Sequence, residues 1–573
     1  MHTVLKTDEH CEGWQNFAFD LALSQQVIAS GLPNRFGVQV PLCTNWKLDK
    51  FQELLEGYED MEIIEWLKYG WPIGRSYGAP DPESTFKNHK GALDHPQFVN
   101  KYIHRELGYG ALLGPFKNSP FSTRWAISPI STRPKRQNPD DRRTIVDLSF
   151  PSWGVSVNSE IPPGEYLGDP ICIILPTVDR VAYQIFIMGR GTPMYGRDFK
   201  RSFHQLPLDP GDYGLVGIQW DGELFFSKVV PMGLRTACYI QQRVTEAVVH
   251  IHNKNGHWLV GYVDDFLGVS PPEEAQQAFD DLAQLFQDIG VEEAPEKAIP
   301  LTTNIVFLGV GINSDTMEIY VTPDRIRELQ LELYAWDSRT ACTRKQLESL
   351  IGKLSFVCSC VRPGRLFLCR LFEALRGFPQ SGFRNIGIEM RKDIHWWQKF
   401  LPVFRGVGML WMFESYNPDV LLSSDACLQA AGGYCHPYVF RLQFPEGIRA
   451  GNSIAHLEFQ ALLASLKVFS KHIKGYKLLV SCDNEATVEV INRGRAQDTY
   501  MNTCLRELVW ICIQAEFEIR AQHIPGKTNT IPDLLSRAFS EKAALAEINK
   551  KISDMRLIEV QVDSSVFAFT HPW

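Results

Sequence analysis

The chain has 573 residues, 45% of them hydrophobic and 22% charged, and a net charge of −8. That length exceeds a single hydrophobic core and predicts roughly two to four domains. The ordinary composition excludes a disordered or fibrous chain, and the negative balance means that any nucleic-acid binding must use local basic surface.

The 13 cysteines are scattered, with no paired C-x2-C pattern. No zinc site is therefore expected, and the thiols are expected to stay reduced in an intracellular compartment. The first ten residues lack the apolar stretch of a signal peptide. No apolar run approaches the roughly 20 residues that span a bilayer.

Residues 1–105 read as mixed and helix-rich, an N-terminal extension to which no chemistry is assigned. Within it, residues 49–68 carry apolar residues at helical spacing with acids on the other face, which predicts one amphipathic helix. Residues 119–170 are rich in Pro and Gly and hold the basic cluster Arg133, Lys135, Arg136, Arg142 and Arg143. The run Gly217–Phe226 centres on Asp221-Gly222, a pair suited to a tight primed turn, and predicts a hairpin. Pro231-Met232-Gly233 opens a long predicted helix, and its glycine permits close backbone approach to a ligand. A second hairpin is expected over Ile305–Val321, turning near Asn313-Ser314-Asp315. Residues 322–378 read as helical and basic, with ten Lys/Arg against six Asp/Glu, a net of +4. Residues 390–411 are aromatic-rich around Trp396 and Trp397. A strand-rich segment runs from near Asp419 to near Arg537, and the tail after 540 starts helical and then becomes irregular.

The densest chemical signal is Tyr262-Val263-Asp264-Asp265 between two β-prone runs. It predicts a hairpin with two acids at its tip. Such acids cannot be buried unpaired, and a divalent cation is their natural partner. Two hard cations about 3.5–4 Å apart drive phosphoryl transfer in many polymerases and nucleases. Asp198 ends a predicted strand and supplies a third carboxylate if that strand lies beside the hairpin. Further on, Asp425 ends a strand, Glu458 lies in the first turn of a helix, Asp483 ends another strand and Asp533 starts a helix. Four carboxylates can hold two Mg2+ astride a scissile phosphate.

The order Arg143-Thr144-Ile145-Val146-Asp147, Asp198-x4-Phe203, Pro231-Met232-Gly233, Tyr262–Asp265 and Phe307-Leu308-Gly309 resembles the reverse transcriptase motif series. The resemblance implies an α+β multidomain chain: a right-hand polymerase with fingers, a ferredoxin-like palm and a helical thumb. Position by position, it implies Asp198, Asp264 and Asp265 as catalytic, metal-holding acids. Lys135 and Arg143 match the cations that clamp the incoming triphosphate. Phe203 matches the steric gate that excludes a ribose 2′-hydroxyl. Met232 and Gly233 match the pair that packs on the nucleotide, although Gln is usual before that glycine in retroviral enzymes and Phe in many retrotransposons. Lys297 matches a lysine near the leaving group.

The order Asp425, Glu458, Asp483, Asp533 resembles the ribonuclease H family and implies an α/β domain whose four acids hold metal. His523, ten residues before Asp533, would assist product release or proton transfer. Pro532 stands where Ala is commoner in that family. Trp66–Gly74, Glu106 with Gly114-Pro115-Phe116, Ser128-Pro129 and Asp147–Asn158 resemble the DIRS/Ngaro-type retroelements, which integrate by tyrosine recombinase. The lack of an Asp-Thr-Gly or Asp-Ser-Gly protease motif agrees with that group.

These resemblances imply the following organisation: an extension at 1–105, fingers and palm at 106–321, thumb at 322–378, connection at 379–417, an RNase H-like domain at 418–540 and a tail at 541–573. They imply two Mg2+ per site, with Mn2+ as an alternative. The implied partners are an RNA template, a DNA primer, the RNA–DNA hybrid and deoxynucleoside triphosphates, with no membrane and with the recombinase or integrase supplied elsewhere. Two rival readings stand beside this one. One is a DNA-directed polymerase or a polymerase with a silent nuclease. The other is a domesticated or decayed element product that binds nucleic acid without catalysis.

Overall fold

The structure is a computed structural model that describes residues 21–25, 41–42, 44–76, 86–122, 124–135, 138–379, 382–403, 407–408, 418–473 and 477–573. The first ten residues, Arg136 and residues 404–406 and 409–411 of the aromatic segment lie outside the described residues. The chain divides into two compact units, one of residues 1–307 with 313–315, the other of 308–312 with 316–573.

The first unit is organised by a four-stranded sheet in the order Ile299–Thr302, Met194–Asp198, Asp265–Val269, Trp258–Tyr262. All its pairings are antiparallel. The helices Ala237–Lys254 and Ala275–Ile289 pack against it. Both present buried apolar faces, including Val244, Val248, Leu282 and Phe286, and burial of such stripes is what holds a helix on a sheet. Two glycines set the close approach. A Cβ on Gly268 would lie 2.0 Å from the Tyr195 ring, and one on Gly261 would lie 2.3 Å from Thr245 Cγ2. Tyr195 is fully buried and its hydroxyl meets His252 Nε2 at 2.9 Å, so the ring has no room to yield. Gly268→Ala is accordingly expected to destabilise this unit by about 1–3 kcal/mol through overpacking, read as a fall in its denaturation midpoint.

Three local expectations are corrected. Residues 49–68 form two helices, Leu48–Leu54 and Glu62–Tyr69, because Gly57 at φ +86° turns the chain between them. The long helix expected to open at Pro231-Met232-Gly233 begins at Ala237, and the motif itself is a turn ahead of it. The run 305–321 contains three strands, Asn304–Phe307, Val310–Asn313 and Glu318–Val321. Leu308 (φ +50°) and Gly309 (φ +78°) turn the chain inside what reads as one arm. The Asp221-Gly222 hairpin forms as read, with both residues at positive φ, as a primed turn requires.

In the second unit, residues 323–400 are mainly helical: Pro323–Asp337, Arg344–Val357, Cys369–Arg376 and Ile388–Phe400. Thr343 and Gln346 close a capping box on the second of these, which satisfies backbone N–H groups at its start. A six-stranded sheet follows, in the order Glu518–His523, Lys477–Cys482, Val420–Ala426, Ala430–Cys435, Tyr438–Gln443, Ile558–Glu559. The first three strands run parallel to one another, and the next two join them antiparallel. Helix Ile454–Ile473 crosses one face, and its Ser465 Oγ would touch a Cβ on Gly433 at 2.4 Å. The tail opens with the helix expected, Lys542–Asp554, and the part read as irregular contributes one short strand. Ile558–Glu559 adds an edge strand, tied by Glu559 to Arg441 at 2.8 Å. Asp393, fully buried, is met by Arg370 (3.1 Å) and Arg506 (3.6 Å), so the aromatic helix Ile388–Phe400 and helix Thr499–Ala515 share one ion network.

Two candidate active sites

The hairpin tip of the first unit places its acids against a third one. Asp265 stands directly opposite Asp198 across the strands, and the Phe199 N–H donates to the Asp264 carbonyl at 3.1 Å. Val263 takes φ +57° at the turn, a conformation costly for a β-branched residue. Helix Ala237–Lys254 holds it there. The Val263 N–H donates to Gln242 Oε1 (2.8 Å), Gln242 Nε2 donates to the Gly261 carbonyl (2.9 Å), and the Thr245 hydroxyl donates to the Val263 carbonyl. Gln242 and Thr245 were not singled out in the sequence, where they read as ordinary helix residues.

Burial and the neighbouring Asp198 charge push the Asp264 carboxyl up, against the pull of Lys297 and Arg143. Burial, Asp264 and a hydrogen bond with Asp198 push Asp265 up to about 7. Lys297 Nζ lies 2.7 Å from Asp198 Oδ1. Asp264 and Asp265, both raised by burial and by the charges beside them, stand against Asp198, and this set fits a divalent cation that would relieve the repulsion.

Of the nucleotide-binding candidates, Arg143 lies within electrostatic reach of Asp264. It faces Arg133 directly across the hairpin Ile130–Pro134/Arg142–Val146. Like charges opposite one another destabilise a sheet, and an anion placed between two exposed guanidinium groups removes the cost. Arg142 is spent on Thr132 instead, bonding its hydroxyl (2.9 Å) and carbonyl (3.0 Å). Lys135 pairs with Asp141 at 2.5 Å. Phe203 lies half-buried in the 3-10 turn Ser202–Gln205. Met232 is 42% exposed, enough to meet a ligand. Gly233 sits at φ +101° with the Val146 carbonyl 3.0 Å from where a Cβ would be, so the motif turn abuts the end of the basic hairpin. Buried Asn158 fixes this turn, donating to the Gly233 carbonyl (2.9 Å) and accepting from the Arg235 N–H (2.8 Å). Its part of the sequence showed only as one letter of a longer resemblance.

The second unit brings its four acids to one end of the six-stranded sheet. Asp425 Oδ2 accepts from Ser536 Oγ at 2.5 Å. Burial, Asp483 and Asp533 hold the Asp425 carboxyl at about 6, against that hydrogen bond. Burial, Asp483 and Asp425 raise Glu458 to about 7. Glu458, Cys482 and Asp483 each offer a ligand atom within 4.8 Å of the others. Glu458 Oε2 and Asp483 Oδ1 are buried without a hydrogen-bond partner. Such orphaned acceptors are costly, and a hard cation satisfies them. Asp533 is more open and is bonded by Arg537 Nε at 2.8 Å. A Cβ on Gly526 would lie 3.2 Å from Asp483 Oδ2, which explains the glycine of the His523-Ile524-Pro525-Gly526 loop. His523 is exposed and registers against Cys482, the residue before Asp483. Ser536 has no signal in the sequence; its role follows from helix Thr530–Arg537 lying against strand Val420–Ala426.

Residues 169–312 match the family model described as reverse transcriptase (RNA-dependent DNA polymerase). That segment therefore carries a reverse transcriptase domain. The chain is 23% identical over 385 residues to the enzymatic polyprotein of Cauliflower mosaic virus (strain D/H), covering 62% of this chain and 52% of that protein. It is 20% identical over 389 residues to the enzymatic polyprotein of Figwort mosaic virus (strain DxS). The chain spans about half the length of the curated relatives it matches. Among solved structures, it is similar to a foamy viral protease-reverse transcriptase in complex with double-stranded DNA, at 14% identity and a TM-score of 0.46 over 85% of this chain and 84% of that one. A foamy viral protease-reverse transcriptase with an RNA/DNA hybrid follows at 14% identity and a TM-score of 0.43, over 85% and 64%. The fold is α+β and multidomain: an antiparallel four-stranded sheet with packed helices in the first unit, where the family match lies, and in the second a helical segment followed by an α/β sheet. Among the described residues, no helix is long and apolar enough to cross a membrane.

Proposed function

We propose that the chain is an RNA-directed DNA polymerase with ribonuclease H activity, the product of a DIRS/Ngaro-type retroelement acting inside the cell. The observation that carries this reading is the meeting of Asp198, Asp264 and Asp265 at the edge of the palm sheet inside a reverse transcriptase domain. The second acid cluster, Asp425, Glu458, Asp483 and Asp533, supports the nuclease half. The DIRS/Ngaro assignment is supported by the Trp66–Gly74 and Asp147–Asn158 motifs.

Divalent ions, Mg2+ foremost and two per site, would supply Lewis-acid activation of the attacking oxygen and neutralise the leaving group. The chain's own residues do the rest. Asp198 and Asp264 hold the charge centre, with Asp265 behind them. Lys297 keeps a positive charge beside Asp198, where the departing pyrophosphate gathers charge. Arg143 and Lys135 draw in the triphosphate, Met232 and Gly233 support the nucleotide, and Phe203 packs under its sugar. In the nuclease site, Glu458 and Asp483 offer the inner oxygens, and His523 exchanges protons or eases product exit. The basic segment 322–378 binds duplex phosphates, so affinity for the hybrid falls as salt rises.

The test is primer extension on a labelled RNA template by the full chain, with Mg2+ and with a chelator. Metal-dependent DNA synthesis together with shortening of the RNA strand is expected. Hybrid binding without either product would overturn the reading in favour of a protein that only binds nucleic acid.

A further inference from the structure

Phe203 packs with one side on the core of the first unit, and the backbone turn that carries it is held by further groups. Phe203 is half-buried in a single 3-10 turn, and the residue two before it, Arg201, sits at φ +52°, in the left-handed region that side chains resist. What holds the turn is a carboxylate from another element. Glu106, near the end of helix Pro96–Gly108, is 1% exposed. Its Oε2 accepts from Arg201 Nη2 and meets His204 Nδ1 at 3.0 Å, while its Oε1 accepts from Arg105 Nε at 2.8 Å. The Arg201 guanidinium also lies 3.5 Å above the Tyr109 ring. The other side of the turn is closed by Gln205, whose Nε2 donates to the Lys200 (2.6 Å) and Glu292 (2.9 Å) carbonyls.

One buried oxygen thus bonds the residues at positions −2 and +1 from Phe203. Burial opposes a charge on Glu106, but the His204 hydrogen bond and the charges of His204, Arg201 and Arg105 outweigh it and bring the carboxyl down to about 2. It is therefore ionised wherever a polymerase works, and the tie to the Arg201 guanidinium joins two full charges. A buried carboxylate is tolerated only when it is fully paired, and here its pairs converge on the turn that carries the ring.

We propose that Glu106 is a positioning residue for sugar selection, clamping Arg201 and His204 so that the Phe203 ring stays where a 2′-hydroxyl would have to pass. This inference rests on the reading of Phe203 as the sugar gate. A small displacement of the ring opens space for one hydroxyl group, so the clamp acts on discrimination between nucleotides more than on the rate with the correct one.

The experiment compares kcat/KM for deoxyribonucleotides and ribonucleotides on the same primer and template, using the full chain and three variants. Phe203→Val tests the gate, and Glu106→Gln and Arg201→Gly test the clamp. Arg201→Gly removes the tie while keeping a residue at ease at positive φ, so it decides the matter if Glu106→Gln does not fold. Both clamp variants are expected to raise relative ribonucleotide use about tenfold, mainly through a lower ribonucleotide KM, with a smaller change for deoxyribonucleotides. If Phe203→Val leaves discrimination unchanged, the gate reading fails and the clamp with it. If Phe203→Val relaxes discrimination and the clamp variants lower both activities in proportion, or change neither, Glu106 is a purely structural ion-pair residue and the inference is overturned.

Discussion

Asp264→Asn is expected to lower RNA-templated DNA synthesis by about a thousandfold while leaving cleavage of a preformed RNA–DNA hybrid near its original rate. A metal-held carboxylate contributes several kcal/mol to charge stabilisation in phosphoryl transfer, and about 4 kcal/mol corresponds to that factor. The substitution keeps the size of the side chain, and the turn is held by groups it does not touch. The Val263 backbone is bonded by Gln242 and Thr245, so the hairpin should fold unchanged. The loss should then appear in kcat, with hybrid affinity retained in a gel shift. Equal loss of synthesis and cleavage would mean that the two acid clusters do not act as separate sites.

Glu458→Gln is the mirror experiment. It removes the charge from an oxygen set that has no protein partner at Glu458 Oε2 or Asp483 Oδ1. RNA cleavage should fall by about a hundredfold or more, since one of the inner oxygens of a two-ion site becomes a neutral amide. Synthesis on a short template should persist. Folding should not suffer, because like charges at Asp425 and Asp483 already oppose ionisation of Glu458, and a neutral side chain is tolerated at least as well there. Thermal denaturation of the variant at or above the parent midpoint, with cleavage lost, is the expected pair of results. Cleavage that survives would remove Glu458 from the site.

The sequence by itself determined most of the local elements that carry the candidate acids, although Glu458, expected in a first helical turn, is the fifth residue of helix Ile454–Ile473. The β-prone runs ending in Asp198, Asp425 and Asp483 appear as strands that end within one residue of those acids, and the Asp221-Gly222 turn forms with both φ values positive. Such signals are legible because they depend on residues close together in the chain: alternation, turn chemistry and a charge where an apolar run stops. Where the local signal was continuous but a single residue broke it, reading failed. Gly57 splits residues 49–68 and Leu308-Gly309 splits the run from 305, since one positive φ outweighs a periodic pattern.

Only the tertiary structure decided which polar residues support the two candidate sites. Asn158 reaches Gly233 across 75 positions, Glu106 reaches Arg201 across 95 and Ser536 reaches Asp425 across 111. Each is an ordinary polar residue in its own neighbourhood, and nothing in periodicity or composition marks it. It also separated Arg143, which lies within electrostatic reach of Asp264, from Arg142 beside it, which is bound to Thr132. Neighbours on a strand point to opposite faces, so a basic cluster in the sequence becomes one anion-facing residue and one structural residue only when the sheet is built. The physical reason is the same in every case: a buried polar group must find its partner wherever the fold places one, and that choice is made by packing between distant segments.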